Sequence, residues 1–102
     1  MQPKITKQNQ GEYAIEGEIN KHTVPGISKE LLALIPSVEG ANITFDLSQV
    51  SRSDSAGVAL LVEIMQLTKT ANLSLHLSNL PQQMQDIAGV SGLLDILPII
   101  KN

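Results

Sequence analysis

Residues 43–70 read ITFDLSQVSRSDSAGVALLVEIMQLTKT, and their hydropathy divides them into strand, loop and helix. Ile43, Phe45 and Leu47 alternate with Asn42, Thr44 and Asp46, the period-two signature of a strand with one buried face. A polar loop over 48–55 follows, and an apolar helical run opens at Ala56. This junction delivers Asp54 and Ser55 to the first turn of the helix. The N–H groups there have no intrahelical partners and the helix end carries a partial positive charge. A hydroxyl at that place is open to capping, to phosphorylation or to presentation to a partner.

Plotted at about 100° per residue, the helix over 56–70 has a polar face of Ala59, Glu63, Gln66 and Thr70. Val58, Leu60, Leu61, Val62, Ile64, Met65 and Leu67 spread over the rest, an arc of roughly 220° where one-sided packing needs only about 100°. Two readings are open: the helix is buried deeply within its own domain, or one margin of the arc meets another protein.

On the C-terminal side, Leu73, Leu75 and Leu77 alternate with Ser74, His76 and Ser78, a second half-buried strand. With the strand over 43–47 and the helix between them it makes a βαβ unit, for which the strands are parallel and the crossover right-handed. Pro81 starts a further helix over 82–88, with Gly89 as its left-handed closing residue. Residues 96–100 are apolar around Pro98 and read as a short edge strand.

On the N-terminal side, residues 12–19 alternate Tyr13, Ile15, Gly17 and Ile19 with Ala14, Glu16 and Glu18, a strand with a solvated acidic face. Residues 20–36 hold a helix with Thr23 as cap, Pro25 in its first turn, and Val24, Ile27, Leu31 and Leu34 on one face. Ser28 is an alternative cap, and Pro36 ends the helix. Residues 1–10 are polar and expected to be loosely held. Because each strand is apolar on one face only, the helices are expected on one side of the sheet, with the other side facing water.

A chain of 102 residues makes one domain, here taken as 1–102. Tyr13 and Phe45 are its aromatic residues, so the core is aliphatic. Net charge is −3 and the Lys and Arg residues form no stripe, which argues against nucleic acid as a partner. There are no cysteines, hence no disulfide or thiolate chemistry. The polar start, MQPKITKQNQ, lacks the apolar segment of a signal peptide, and no apolar run approaches the roughly 20 residues of a membrane span. The expectation is a cytoplasmic protein with no direct membrane insertion.

Catalytic patterns are poor. His22 reads as a turn residue and His76 as a solvated strand residue, and no HExxH, CxxC, P-loop or GxSxG occurs. No cofactor and no metal is expected, and the chain is not read as an enzyme. What remains is Ser51, Ser53, Asp54 and Ser55, followed by the small residues Ala56 and Gly57. One cap residue suffices for a helix, yet this run offers several. A short polar loop followed by Ala-Gly forms a platform that another surface can approach closely.

The stretch DLSQVSRSDSAG (46–57), with VALL (58–61) behind it, resembles the signature of STAS domains, the domains of anti-sigma factor antagonists and of the cytoplasmic parts of sulfate transporters. GEI (17–19), NLP (79–81) and GLLDILPI (92–99) resemble the family's flanking segments. The resemblance implies a mixed sheet of four or five strands with helices packed on one face. It also implies that Ser55, after the motif aspartate, is equivalent to the antagonists' phosphoacceptor. Partner binding would use Ser55 with Ser53, Asp54, Ala56, Gly57 and Val58.

The variant DSAGVALL (54–61) is most similar to the small STAS subunits of Mla-type phospholipid ABC transporters, which maintain outer-membrane lipid asymmetry. Antagonists more usually carry Met before the aspartate and a second Ser after the phosphosite, where this chain has Ser53 and Ala56. The resemblance therefore points first to a non-catalytic subunit that binds and regulates a cytoplasmic ABC-type ATPase. Through that ATPase and its permease it would sit at the inner membrane. The alternative is an anti-sigma factor antagonist that binds an anti-sigma serine kinase and is switched by phosphorylation of Ser55.

Overall fold

The computed structural model describes residues 2–100, in which five strands and three α-helices alternate. The strands are β1 (Lys4–Asn9), β2 (Glu12–Ile19), β3 (Asn42–Asp46), β4 (Val50–Ser53) and β5 (Ser74–Ser78). The helices are α1 (Val24–Leu34), α2 (Ser55–Thr70) and α3 (Gln82–Val90). The sheet runs β1-β2-β3-β5, with β4 also paired to β2. β1 and β2 are antiparallel and the other pairings are parallel, so the sheet is mixed.

The βαβ unit read from the sequence is present: β3 and β5 run parallel in unbroken register from Asn42↔Ser74 to Asp46↔Ser78, with α2 between them. Alternation puts Ile43, Phe45, Leu75 and Leu77 inward, and all are buried. Ser74 and His76 on the opposite face are exposed, as the one-sided hydropathy requires. Tyr13 and Phe45 lie side by side across the β2–β3 pair, ring centroids 6.0 Å apart. The rest of the core is aliphatic, and each such side chain taken from water contributes about 1.5–3 kcal/mol.

α2 touches α1, α3 and β5, which resolves its wide apolar arc. Val58, Leu60, Leu61 and Ile64 are buried and Val62, Met65 and Leu67 half-buried, while Ala59, Gln66 and Thr70 face water. Flanked by a helix on each side as well as backed by the sheet, α2 uses most of its circumference inside the domain. Glu63, expected on the polar face, is half-buried and accepts a hydrogen bond from Ser28 of α1.

Several local expectations are corrected. Residues 4–9 are not loose: they form β1, paired from Lys4↔Glu16 to Asn9↔Glu12, because β2 offers a long edge to a chain returning through the turn at Gly11; Met1 lies outside the described residues. The loop expected over 48–55 contains β4. Its alternation is too short to register as a period, and only β2 reveals it. Gly17, at φ +107, lets β2 change course, and the register slips there. The residues before it pair with β3 and those from Gly17 on with β4. Thr23 stands at the cap position of α1 without capping it; its hydroxyl donates to the Glu18 carbonyl and accepts from the Asn20 N–H, both at 2.9 Å. Ser28 lies inside α1, not at its cap; α1 does end before Pro36, at Leu34 with Ile35 as C-cap, and a 3₁₀ turn, Ile35–Ser37, follows it. α3 runs through Gly89 to Val90, and Gly92 (φ +72) is the left-handed residue beyond it. Residues 96–100 make one parallel bridge, Leu77↔Ile99, rather than a strand. Pro98 has no N–H to extend it, although its carbonyl accepts from Leu77 N at 2.9 Å.

Candidate functional site

The β4–α2 junction is built from backbone restraints. Asp54 leaves β4 in an extended conformation (φ −122, ψ −163) and caps α2, its Oδ1 accepting from Ala56 N at 2.8 Å. Asp54 N donates to Ile19 O (3.4 Å), so the cap is also tied to the end of β2. Ser55 is then the first residue of the helix and is exposed. Its hydroxyl stands beside the positive end of α2, outside the core.

Ser53 and Gly57 stand on either side of Ser55 and behave differently from it. Ser53 is 6% exposed, and its Oγ donates to the Asp54 carbonyl at 3.1 Å. Gly57 is buried, and a Cβ built on it would overlap Ser53 Oγ and lie 3.3 Å from Met84 Cε of α3. Gly57 is therefore a site of close approach between the helix start and the end of β4. Val58 is 3% exposed and belongs to the core, while Ala56 is half-buried. Of the six residues singled out in the sequence, Asp54 and Ser55 are presented to solvent, Ala56 borders them, and Ser53, Gly57 and Val58 hold them up from beneath. Val58 offers no side chain to a partner.

Beside the junction lies an open depression of about 370 Å³ lined by Glu18, Asn20, Lys21, His22, Arg52, Ser53, Asp54 and Gln83. Its rim is the β2–α1 turn, held by Asn20, whose Oδ1 accepts from the N–H groups of His22 (2.8 Å) and Thr23 (3.2 Å). The exposed surface around Ser55 thus continues onto a shaped, hydrogen-bonded turn with side chains of both charges. Apart from Ser53 and Asp54, these neighbours are not picked out by the sequence; they come from separate segments, and the pairing of β2 with β4 brings the β2–α1 turn beside Arg52, Ser53 and Asp54. Gln83 was also missed: its Oε1 accepts from Ser53 N at 3.2 Å across the fold.

A second polar junction lies at the end of β3. Asp46 Oδ1 accepts from Ser48 N (2.9 Å) and from Asn79 Nδ2 (3.0 Å), joining the β3–β4 turn to the β5–α3 link. Partial burial pushes the Asp46 carboxyl up, but the hydrogen bonds from Asn79, Ser48 and Gln8 outweigh it and hold the group below its ordinary value. Among the described residues, no group of three or more His, Cys, Asp or Glu converges to hold a metal ion. No helix among them is long and apolar enough to cross a membrane. The geometry offers a hydrogen-bonded junction with the exposed Ser55 hydroxyl at the N-terminus of α2.

The sequence and the fold are similar to those of known proteins. An anti-sigma-B factor antagonist of Bacillus subtilis is 30% identical over 95 residues, 91% of this chain and 85% of the relative. The anti-sigma factor antagonist SpoIIAA in its unphosphorylated form shares the fold with a TM-score of 0.74 at 20% identity, covering 98% of this chain and 87% of that one. The phosphorylated form of SpoIIAA from Bacillus gives 0.70 at 20% identity, with 98% and 90% covered. No enzyme family is indicated by these matches. The model of the STAS domain matches residues 3–102, and with the mixed sheet, its three helices and the DSAG junction this chain belongs to the STAS domain family.

Proposed function

We propose that this chain is a non-catalytic regulator of the anti-sigma factor antagonist type, which binds a protein partner through the β4–α2 junction and is switched by phosphorylation of Ser55. The observation that carries the reading is the exposed Ser55 hydroxyl at the first position of α2, directly after the capping Asp54, in a chain whose relative along most of its length is an anti-sigma-B factor antagonist. The existence of SpoIIAA structures in unphosphorylated and phosphorylated forms supports a fold that tolerates such a switch. A phosphoryl group on Ser55 adds about −1.5 to −2 charges. The positive end of α2 accommodates them, while a partner surface fitted to Asp54 and a neutral serine does not. The partner on this reading is an anti-sigma serine kinase, and the complex is cytoplasmic.

The test is incubation of the protein with its cognate anti-sigma kinase and ATP, followed by mass spectrometry. One phosphate on Ser55, absent from Ser55→Ala, is expected; no modification under conditions that phosphorylate a control antagonist sinks the reading. In binding assays Ser55→Ala should keep most of the affinity, and Ser55→Asp should weaken it at least about tenfold, the scale of one misplaced charge at an interface.

A second reading is favoured by one feature, the Ser53 and Ala56 that flank the motif where antagonists more usually carry Met and Ser. On it, the same surface docks on an ABC-type ATPase of a phospholipid transporter, which places the chain at the inner membrane through its partner. Affinity purification from the native cell separates the two: a serine kinase supports the first, an ABC ATPase with a permease the second.

A further inference from the structure

Ser53 ends β4 with an N–H that the sheet does not use. The neighbouring Asp54 N–H goes to Ile19 O of β2, whereas Ser53 N donates to the side-chain Oε1 of Gln83 at 3.2 Å. Ser53 is 6% exposed, so water is a poor substitute partner for its amide. Gln83 is an exposed residue on the first turn of α3, and its bond to Ser53 does what an adjoining strand would do for β4. The next residue, Met84, is 1% exposed and packs toward Gly57, which leaves room for it by having no Cβ. The first turn of α3 therefore meets the acceptor segment on both sides of Ser55, at Ser53 by a hydrogen bond and at Gly57 by Met84, whose Cε lies 3.3 Å from where a Cβ would stand.

From this arrangement we propose that Gln83 is a positioning residue for Ser55: through the Ser53 amide it fixes the backbone that presents the hydroxyl to the incoming phosphoryl donor. This role rests on the reading of Ser55 as phosphoacceptor. It adds α3, thirty residues away in sequence, to the machinery of the switch. A hydroxyl held in one orientation reacts faster than one on a segment that samples many, and the gain appears in kcat.

Two measurements on the full chain test it. By NMR-detected amide exchange, Gln83→Ala should speed exchange of the Ser53 amide at least about tenfold while Phe45 and Leu77 amides keep their rates, as for a local opening. Gln83→Glu retains an acceptor at the same reach and should restore protection. With the cognate kinase and ATP, Gln83→Ala should lower kcat for Ser55 several-fold with KM little changed, and Gln83→Glu should recover it. Unchanged Ser53 exchange overturns the proposal, as does acceleration spread evenly through β3 and β5, which would make Gln83 an ordinary contributor to stability. Phosphorylation of wild type and Gln83→Ala at equal rates overturns the role of Gln83 alone. Absence of phosphate from the wild type removes the phosphoacceptor reading, and this role with it.

Discussion

Gly57 and Ser53 form the tightest steric pair at the junction, and the pair can be taken apart by mutation. Gly57→Ala puts a methyl group where Ser53 Oγ already lies, with Met84 Cε behind it. The cost expected in chemical denaturation is about 1–3 kcal/mol, the range for overpacking, although alanine is the better helix former. In a Ser53→Ala background the obstructing oxygen is gone, and the same change should cost less than half as much; equal costs in both backgrounds would mean that the obstruction lies elsewhere. Asp54→Ala removes the bond to Ala56 N and should cost about 1 kcal/mol, read as a lowered midpoint with an unchanged denaturant slope. Ser55 makes no comparable contribution, being exposed at the first helical position. Its hydroxyl stays accessible beside the helix N-terminus because Asp54 does the capping.

At the scale of elements, α2 carries the core and the polar turns carry the registration. Ile64 is fully buried where α2 meets its neighbours, so Ile64→Ala should cost about 2–5 kcal/mol, whereas Gln66→Ala on the exposed face should change stability by less than about 0.5 kcal/mol. Similar costs at the two positions in urea unfolding would contradict the burial of α2. The Asp46–Asn79 contact ties the β3–β4 turn to the link before α3. Its carboxyl is held below the ordinary value, so folding favours its ionised form. The stabilisation is complete above the unfolded-state pKa of about 3.9 and is lost as the pH falls through the lower folded-state value. Asp46→Asn should flatten the stability profile below pH 4 relative to wild type; parallel profiles in thermal melts between pH 2 and 6 would remove Asp46 from the account.

For the molecule as a whole, the helices and the core lie on one face of the sheet, and at the junction Ser55 is exposed above residues that belong to the buried layer. A charge on Ser55 stands in solvent rather than among the buried Ser53, Gly57 and Val58 beneath it. Ser55→Asp should therefore leave the melting temperature within a degree or two of wild type while weakening partner binding. A collapse of stability in this variant would mean that a charge at Ser55 acts by unfolding the domain rather than by local repulsion. Confinement of the substitution's effect to residues near the junction can be read from backbone chemical shifts.

The sequence by itself determined the elements whose pattern is long compared with its period: β2, β3, α2 and β5, the parallel βαβ unit, and the placement of Asp54 and Ser55 at a helix start. Hydropathy alternation and cap chemistry are local, and each of those elements is long enough to state them. Only the tertiary structure decided the rest. β1 is a polar strand with no alternation to read, β4 spans four residues, and both exist because β2 supplies pairing edges. The wide apolar arc of α2 allowed either deep burial or a partner; neighbouring helices on both sides settled it as burial. The same holds at the site, where motif residues adjacent in the chain separate into exposed Ser55 and buried Ser53, Gly57 and Val58. Gln83 reaches Ser53 from α3, a contact between residues distant in sequence that no local period encodes.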